Sequence, residues 1–259
     1  MRKSKLLILF VTLIFIFIIF PLFITTVASF NSGSRLTFPI EGFSFKWYLN
    51  SYKPSYIEGF FNSLKIGVLA TIISLLFGVP VAYGLAKFDD KVTRRLKMFF
   101  FSPVLIPAVV LSYAIFILYI AELQLPKFTI LLLAHIIVLF PYTIRVVGGA
   151  FENFDFTIED AAISLGATKI GFVIKVLLPT ITPAIVSASI LCFITSFNNV
   201  PISIFLYGRG ATPLPIMMME YVEYYGDPTV ASMSVVLMIV TLGIAFLIEK
   251  TMGLDNYGK

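Results

Sequence analysis

The chain is short of most of what a soluble enzyme is built from. Only 13% of its 259 residues are charged, against 59% hydrophobic, and mean hydropathy is +0.98. So little polar surface cannot cover so much apolar surface in water, which makes this an integral membrane protein. A single cysteine, Cys192, excludes an internal disulfide. With His135 the single histidine as well, the cysteine and histidine ligands of a zinc-type metal site are lacking. Both sit in apolar runs and are read as packed side chains. One histidine also makes H-E-x-x-H impossible, and neither a Ser/His arrangement nor a paired intramembrane Asp is evident, which argues against an intramembrane enzyme. No G-x-x-x-x-G-K-[ST] phosphate loop occurs, so the chain cannot hydrolyse ATP alone. The net charge of +5 is too modest to call for nucleic acid.

What the sequence does have is long apolar runs. A helix needs about 20 mainly apolar residues to cross a bilayer, and such runs lie near 6–29, 61–86, 98–120, 128–149, 181–206 and 229–249. The first follows a basic start like that of a secretory signal. It is far longer than a signal core of roughly 7–15 residues and is expected to be a retained helix. Arg2, Lys3 and Lys5 precede span one; Lys87, Lys91, Arg94, Arg95 and Lys97 separate spans two and three; Lys169 and Lys175 separate four and five. Cations on the other side are diluted among acids, so the positive-inside rule puts both termini and the 151–179 loop in the cytoplasm. The expectation is one all-α domain over 1–259 with six transmembrane helices.

Smaller features refine this picture. Ala70, Ser74, Gly78, Ala82 and Ala86 form a four-residue ridge that lets another helix approach closely, as do Ala184, Ala188, Cys192 and Ser196. Trp47, Tyr48, Tyr52 and Tyr56 suit a short aromatic element at the outer interface. Glu220, Glu223 and Asp227, among Tyr221, Tyr224 and Tyr225, read as an acidic outer loop, and Glu122 as a solvated loop residue.

The cytoplasmic stretch IEDAAISLGATKIGFVIKVLLP, residues 158–179, breaks the apolar pattern. Thr157 with Asp160 fits a capping box, and Glu159 and Asp160 put negative charge in the first turn, where the helix dipole favours it. Ile158, Ala161, Ala162 and Leu165 recur at helical spacing, and Gly166 is the natural stop. Thr168 begins a second element that runs to Leu178 and Pro179. From spacing alone this is either a connector on the lipid surface or a flat, small-residue patch flanked by carboxylates that docks into a basic groove of another protein.

Asp160-Ala161-Ala162, with Gly166 six residues after the Asp and Leu178-Pro179 beyond, resembles the EAA signature of permease subunits of bacterial ATP-binding cassette importers. Trp47-Tyr48, FNSLKIG at 61–67, GVPVAYGLAKF at 78–88, SFNNVPISIFLYG at 196–208 and TPLPIMMMEYVEYYGDPTVAS at 212–232 resemble the spermidine/putrescine group of those permeases. Asp160 stands where the family usually has Glu, with Glu159 beside it. The resemblance implies a type I importer permease fold in the bacterial inner membrane. It implies that Glu159 or Asp160, Ala161, Ala162, Leu165 and Gly166 form a coupling helix docking in a cleft of an ATPase subunit. The implied partners are an ATPase dimer carrying ATP and Mg, a second permease chain, an extracellular or periplasmic solute-binding protein and the lipid bilayer. This chain itself would hold no cofactor or metal.

Polar groups at membrane depth mark candidate pathways. Thr195, Ser196, Asn198 and Asn199 cluster before Pro201 and are expected within span five, facing one cavity. The group's permeases tend to carry acids where Asn198 and Asn199 stand, so a polyamine and a zwitterionic amine both remain open as solute. A stand-alone secondary transporter or channel is the alternative, though it should show charged residues buried in its spans.

Overall fold

A computed structural model describes residues 2–121 and 125–251; Glu122 lies outside them. Among the described residues the regular structure is helical: α1 (Arg2–Ala28), α2 (Lys46–Ser51), α3 (Pro54–Lys87), α4 (Lys91–Leu105), α5 (Ala108–Ile115), α6 (Lys127–Phe151), α7 (Thr157–Ser164), α8 (Lys169–Phe172), α9 (Leu178–Phe197), α10 (Leu214–Tyr224) and α11 (Thr229–Thr251). One π-type turn, Phe116–Ala121, extends α5, and another, Val173–Leu177, joins α8 to α9. Among the described residues five helices are long and apolar enough to cross a membrane, or six when α4 and α5 count as one broken span.

The third span departs from the straight helix expected over 98–120. α4 and Ala108–Leu118 meet at 99°. The reason lies in the sequence: Pro107 follows Ile106, whose ψ of 130° is extended, as a residue before proline prefers. The fifth span also ends early. α9 stops at Phe197, and residues 201–206 form tight turns rather than helix.

The chain divides into two compact units, one of residues 1–57 and 217–242 and one of 58–216 and 243–259. In the first, the expected interfacial tryptophan is turned inward. Trp47 is buried, its indole N–H donates to the Asn31 carbonyl at 2.7 Å, and its own carbonyl accepts from Ser232 Oγ at 3.1 Å. A buried indole needs such an acceptor, and the loop after α1 supplies it. The acidic aromatic segment expected as a loop is helical through Tyr224. Asp227 then accepts from Tyr221 Oη and from the Thr229 amide, starting α11.

In the second unit the core lies where the small ridge of α3 meets α6. Ala70, Ser74, Gly78 and Ala82 are buried, and Ser74 Oγ lies 2.8 Å from Thr143 Oγ1. A β-carbon on Gly78 would stand 2.6 Å from Thr143 Cγ2, so only glycine permits this approach. The ridge of α9 packs on the same place, with Cys192 Sγ 3.4 Å from Thr143 Oγ1. Gly78→Val should overpack this crossing by about 1–3 kcal/mol. A lowered unfolding temperature in detergent, with Ser74→Ala much milder, is the check.

Candidate functional site

The segment after α6 is built around α7. The helix starts differently from the expected capping box: Asp155, not Thr157, supplies the acceptor, taking the Thr157 amide at 2.9 Å and its hydroxyl at 2.7 Å. Those bonds hold the Asp155 carboxyl below the usual carboxylate range. The far end is as expected. Gly166 has φ +90°, its amide bonds the Ile163 carbonyl at 2.9 Å, and the Ala167 amide bonds the Ala162 carbonyl at 3.0 Å. This is the pair of bonds that closes a helix through a left-handed glycine. Thr168 then caps α8, accepting from the Gly171 amide at 3.0 Å.

The two neighbouring carboxylates of α7 face opposite ways. Glu159 is buried, and its Oε2 accepts from Lys87 Nζ at 2.7 Å and from the Tyr83 hydroxyl. Tyr83 and Lys87 lie four apart on α3 and so share a face, and Lys87 also donates to Tyr83 Oη at 3.1 Å. The Tyr83 ring packs edge-on to Phe151 and Phe156, at 5.6 and 5.8 Å between centroids. Ala162 is half-buried against the same cluster, which includes Phe172 and Leu177. The inner face of α7 is thus fastened to α3, α6 and the α8–α9 helix by one charge-assisted network and one aromatic cluster. The Lys87 ammonium foremost, then the Tyr83 hydroxyl, keeps the Glu159 carboxyl below the ordinary range. The contact is therefore complete above that range and is lost only as pH falls through the lowered Glu159 value.

The outer face carries Ile158, Asp160, Ala161 and Leu165, all exposed, with Leu165 at 90% and Ile170 just beyond at 73%. Of the expected face, Ala162 turns in while Ile158, Ala161 and Leu165 turn out. An apolar, alanine-floored patch edged by one unburied carboxylate is suited to burial against another protein rather than to water.

The four expected pathway residues are dispersed rather than gathered. Ser196 is buried and lies 2.7 Å from His135 Nδ1. His135 Nε2 lies 3.1 Å from Ser203 Oγ, and Ser203 donates to the Asn199 carbonyl at 2.7 Å. Because Ser203 has spent its proton on that carbonyl, the chain of bonds assigns the imidazole hydrogen to Nε2, with Ser196 donating to Nδ1. Asn199 Oδ1 accepts the Ile202 amide at 3.1 Å, so Asn199 caps the turns after α9. Ser112 of α5 adds a bond to the Ile202 carbonyl at 2.8 Å. Asn198, exposed at the end of α9, reaches only its own helix, Nδ2 to the Ile194 carbonyl at 3.3 Å, and Thr195 is half-buried. His135, Ser203, Tyr83 and Lys87 are thus the organising residues that spacing alone did not select.

Residues 74–252 match the family described as binding-protein-dependent transport system inner membrane component. The chain is similar to the spermidine/putrescine transport system permease protein PotC of Escherichia coli (strain K12), 28% identical over 90% of this chain and 88% of that one. It is also similar to a putative 2-aminoethylphosphonate transport system permease protein, PhnV, of Salmonella paratyphi A, 27% identical over 92% and 90%. In fold it resembles a chain of a bacterial alginate ABC transporter solved in complex with its alginate-bound periplasmic protein, with a TM-score of 0.72, 16% identity, and coverage of 100% of this chain and 97% of that one.

Proposed function

The chain belongs to the binding-protein-dependent transport system inner membrane component family, and from that membership we propose that α7 is its coupling helix and that the chain forms half of a pathway for a small amine-bearing solute. It is a multi-pass inner-membrane permease of an ABC importer that works with an ATPase and a periplasmic binding protein. Such a permease lacks ATPase activity and binds no cofactor itself; ATP and Mg belong to the ATPase subunits. The other half of the pathway comes from a second permease chain, and both termini and α7 lie in the cytoplasm, in keeping with the excess of Lys and Arg there.

The observation that carries the coupling role is the split between the faces of α7. Its outer face presents Asp160, Ala161 and Leu165 for docking, while Glu159 ties the helix to Lys87 of α3. A lever has to be held at one side and free at the other. ATP binds the closed ATPase dimer better than the open one, and that difference biases the permease only if the docked helix cannot move without its spans. Copurification of an ATPase with the tagged chain tests the assignment, and a chain that brings down none contradicts it.

For the solute, the two named relatives handle compounds that share a primary ammonium group. The exposed amide of Asn198 offers a carbonyl to an ammonium and an NH₂ to an anion, without a full counter-charge. That favours a zwitterionic amine over a bare polycation at this position. Titration calorimetry on the cognate binding protein should give a Kd of about 1 μM or tighter for spermidine, putrescine or 2-aminoethylphosphonate. Binding of sugars but of none of these three would remove the amine reading and leave the coupling role standing.

A further inference from the structure

A cavity of about 160 Å³ opens between α3, α4 and α6, lined by Ala82, Lys97, Phe101, Arg145, Gly148 and Glu152 among others. Arg145 lies six residues before the end of α6, about 9 Å into the helix at 1.5 Å per residue. A cation at that depth needs an anion or a route to water. Neither Arg145 nor Lys97 has a carboxylate within ion-pair distance among the described residues. Both side chains, like that of Glu152, are exposed, and the recess they line is half open, so a group from outside the chain can enter between the helices and meet them. At Gly148 and Gly149, beside Arg145, a β-carbon would meet no atom within 4 Å, so the recess extends to the backbone of α6. Glu152, seven residues after Arg145 and hence on the same face, sets one carboxylate at the same cavity.

We infer that this cavity binds a phosphoethanolamine headgroup of the inner leaflet, with the phosphate held by Lys97 and Arg145 and the ammonium by Glu152. Basic recesses between spans on the cytoplasmic side receive lipid headgroups because phosphates lie at that depth. Two cations and one carboxylate match a zwitterionic headgroup better than a glycerol one, which has no charge to meet Glu152. The leaflet assignment rests on the orientation proposed above. The binding itself does not, and its test contains no nucleotide, transported solute or ATPase readout.

The importer complex is delipidated in detergent and titrated separately with dioleoylphosphatidylethanolamine, dioleoylphosphatidylglycerol and soluble phosphoethanolamine, with occupancy read by native mass spectrometry. The ethanolamine lipid should bind most tightly. Lys97→Ala and Arg145→Gln should each weaken it about fivefold, the effect of one cation near a lipid surface. Glu152→Gln should weaken it too, leaving the glycerol lipid no worse. Lys91→Ala, on the same helix but outside the cavity, should change nothing. If Arg145→Gln fails to assemble, Lys97→Ala, altering an exposed side chain, decides alone. Unchanged binding in the Lys97 variant overturns the site. Soluble phosphoethanolamine binding as tightly as the lipid overturns the lipid as its source.

Discussion

Ala161→Glu should abolish uptake while leaving the chain in the membrane at normal level. Ala161 is exposed on the outer face of α7 beside Asp160, so a larger, charged side chain there strains nothing within the chain. If α7 docks as proposed, the damage falls on the docked state, where a second carboxylate would stand beside Asp160 on the docking face. Misplaced like charges at an interface cost several kcal/mol. Taking ~3 kcal/mol, docking weakens by about 150-fold, and uptake should fall by a similar factor at limiting ATPase. Copurification of the ATPase should fall with it. Ala161→Ser, which adds one small polar atom, should retain most transport. Full uptake in Ala161→Glu would mean that nothing docks on this face.

The second large effect concerns the inner face of α7, where Glu159 pairs with Lys87. Glu159→Lys places two ammonium groups together where Lys87 Nζ now meets Glu159 Oε2 at 2.7 Å. Breaking a fully buried pair costs about 3–5 kcal/mol. Lys87 keeps 27% of its side chain exposed, and screening by water brings the expected loss nearer 1–3 kcal/mol. The fastening of α7 to α3 loosens, and uptake should fall about tenfold to a hundredfold while the ATPase still copurifies and still turns over ATP. The informative variant is the exchange, Lys87→Glu with Glu159→Lys, which restores an ion pair of opposite direction. It should recover a substantial part of uptake. A carboxylate that served the ATPase cleft directly would not be rescued this way, so the exchange separates an internal strut from a docking residue. Because Glu159 titrates below the ordinary carboxylate range, the native pair should leave uptake flat between about pH 6 and 8.

The elements legible in the sequence are those whose signal is local. Long apolar runs gave α1, α3, α6 and α11 to within a few residues, apart from an early start of α3 at Pro54, because bilayer thickness sets a length that composition reveals. Gly166 announced the end of α7, since a left-handed stop favours glycine over every other residue. Hydropathy failed where apolar residues are not helical. Val200 to Leu206 is as greasy as a span, yet Asn199 and Pro201 turn it, and only the Asn199 cap on Ile202 shows why. It failed again at Pro107, where two apolar helices meet at a sharp angle. The starting cap of α7 was misassigned by two residues, because Asp155 and Asp160 offer the same chemistry and spacing alone does not say which one reaches the Thr157 amide.

The candidate site was half legible for the same reason. The acidic, alanine-rich character of 159–162 is written in sequence. Which carboxylate points inward is not, because its partners Lys87 and Tyr83 lie 72 and 76 residues away. The polar cluster near the end of α9 was visible as a cluster, but its organisation depends on His135, which ties α6 to Ser196 of α9 over 61 residues and to Ser203 of the turns over 68. Pairings over such distances are made by packing, and periodicity carries no trace of them.

A photo-crosslinking residue placed at Leu165, in whole cells with the importer intact, is the most direct probe of α7 as the point of attachment. Leu165 is nearly bare in the isolated chain, so any protein within reach there is a partner. Irradiation should yield one dominant adduct, identified by mass spectrometry as the ATP-binding subunit. Adducts with lipid alone, or reaction of Leu165→Cys with an impermeant thiol reagent added outside the cell, would contradict the account.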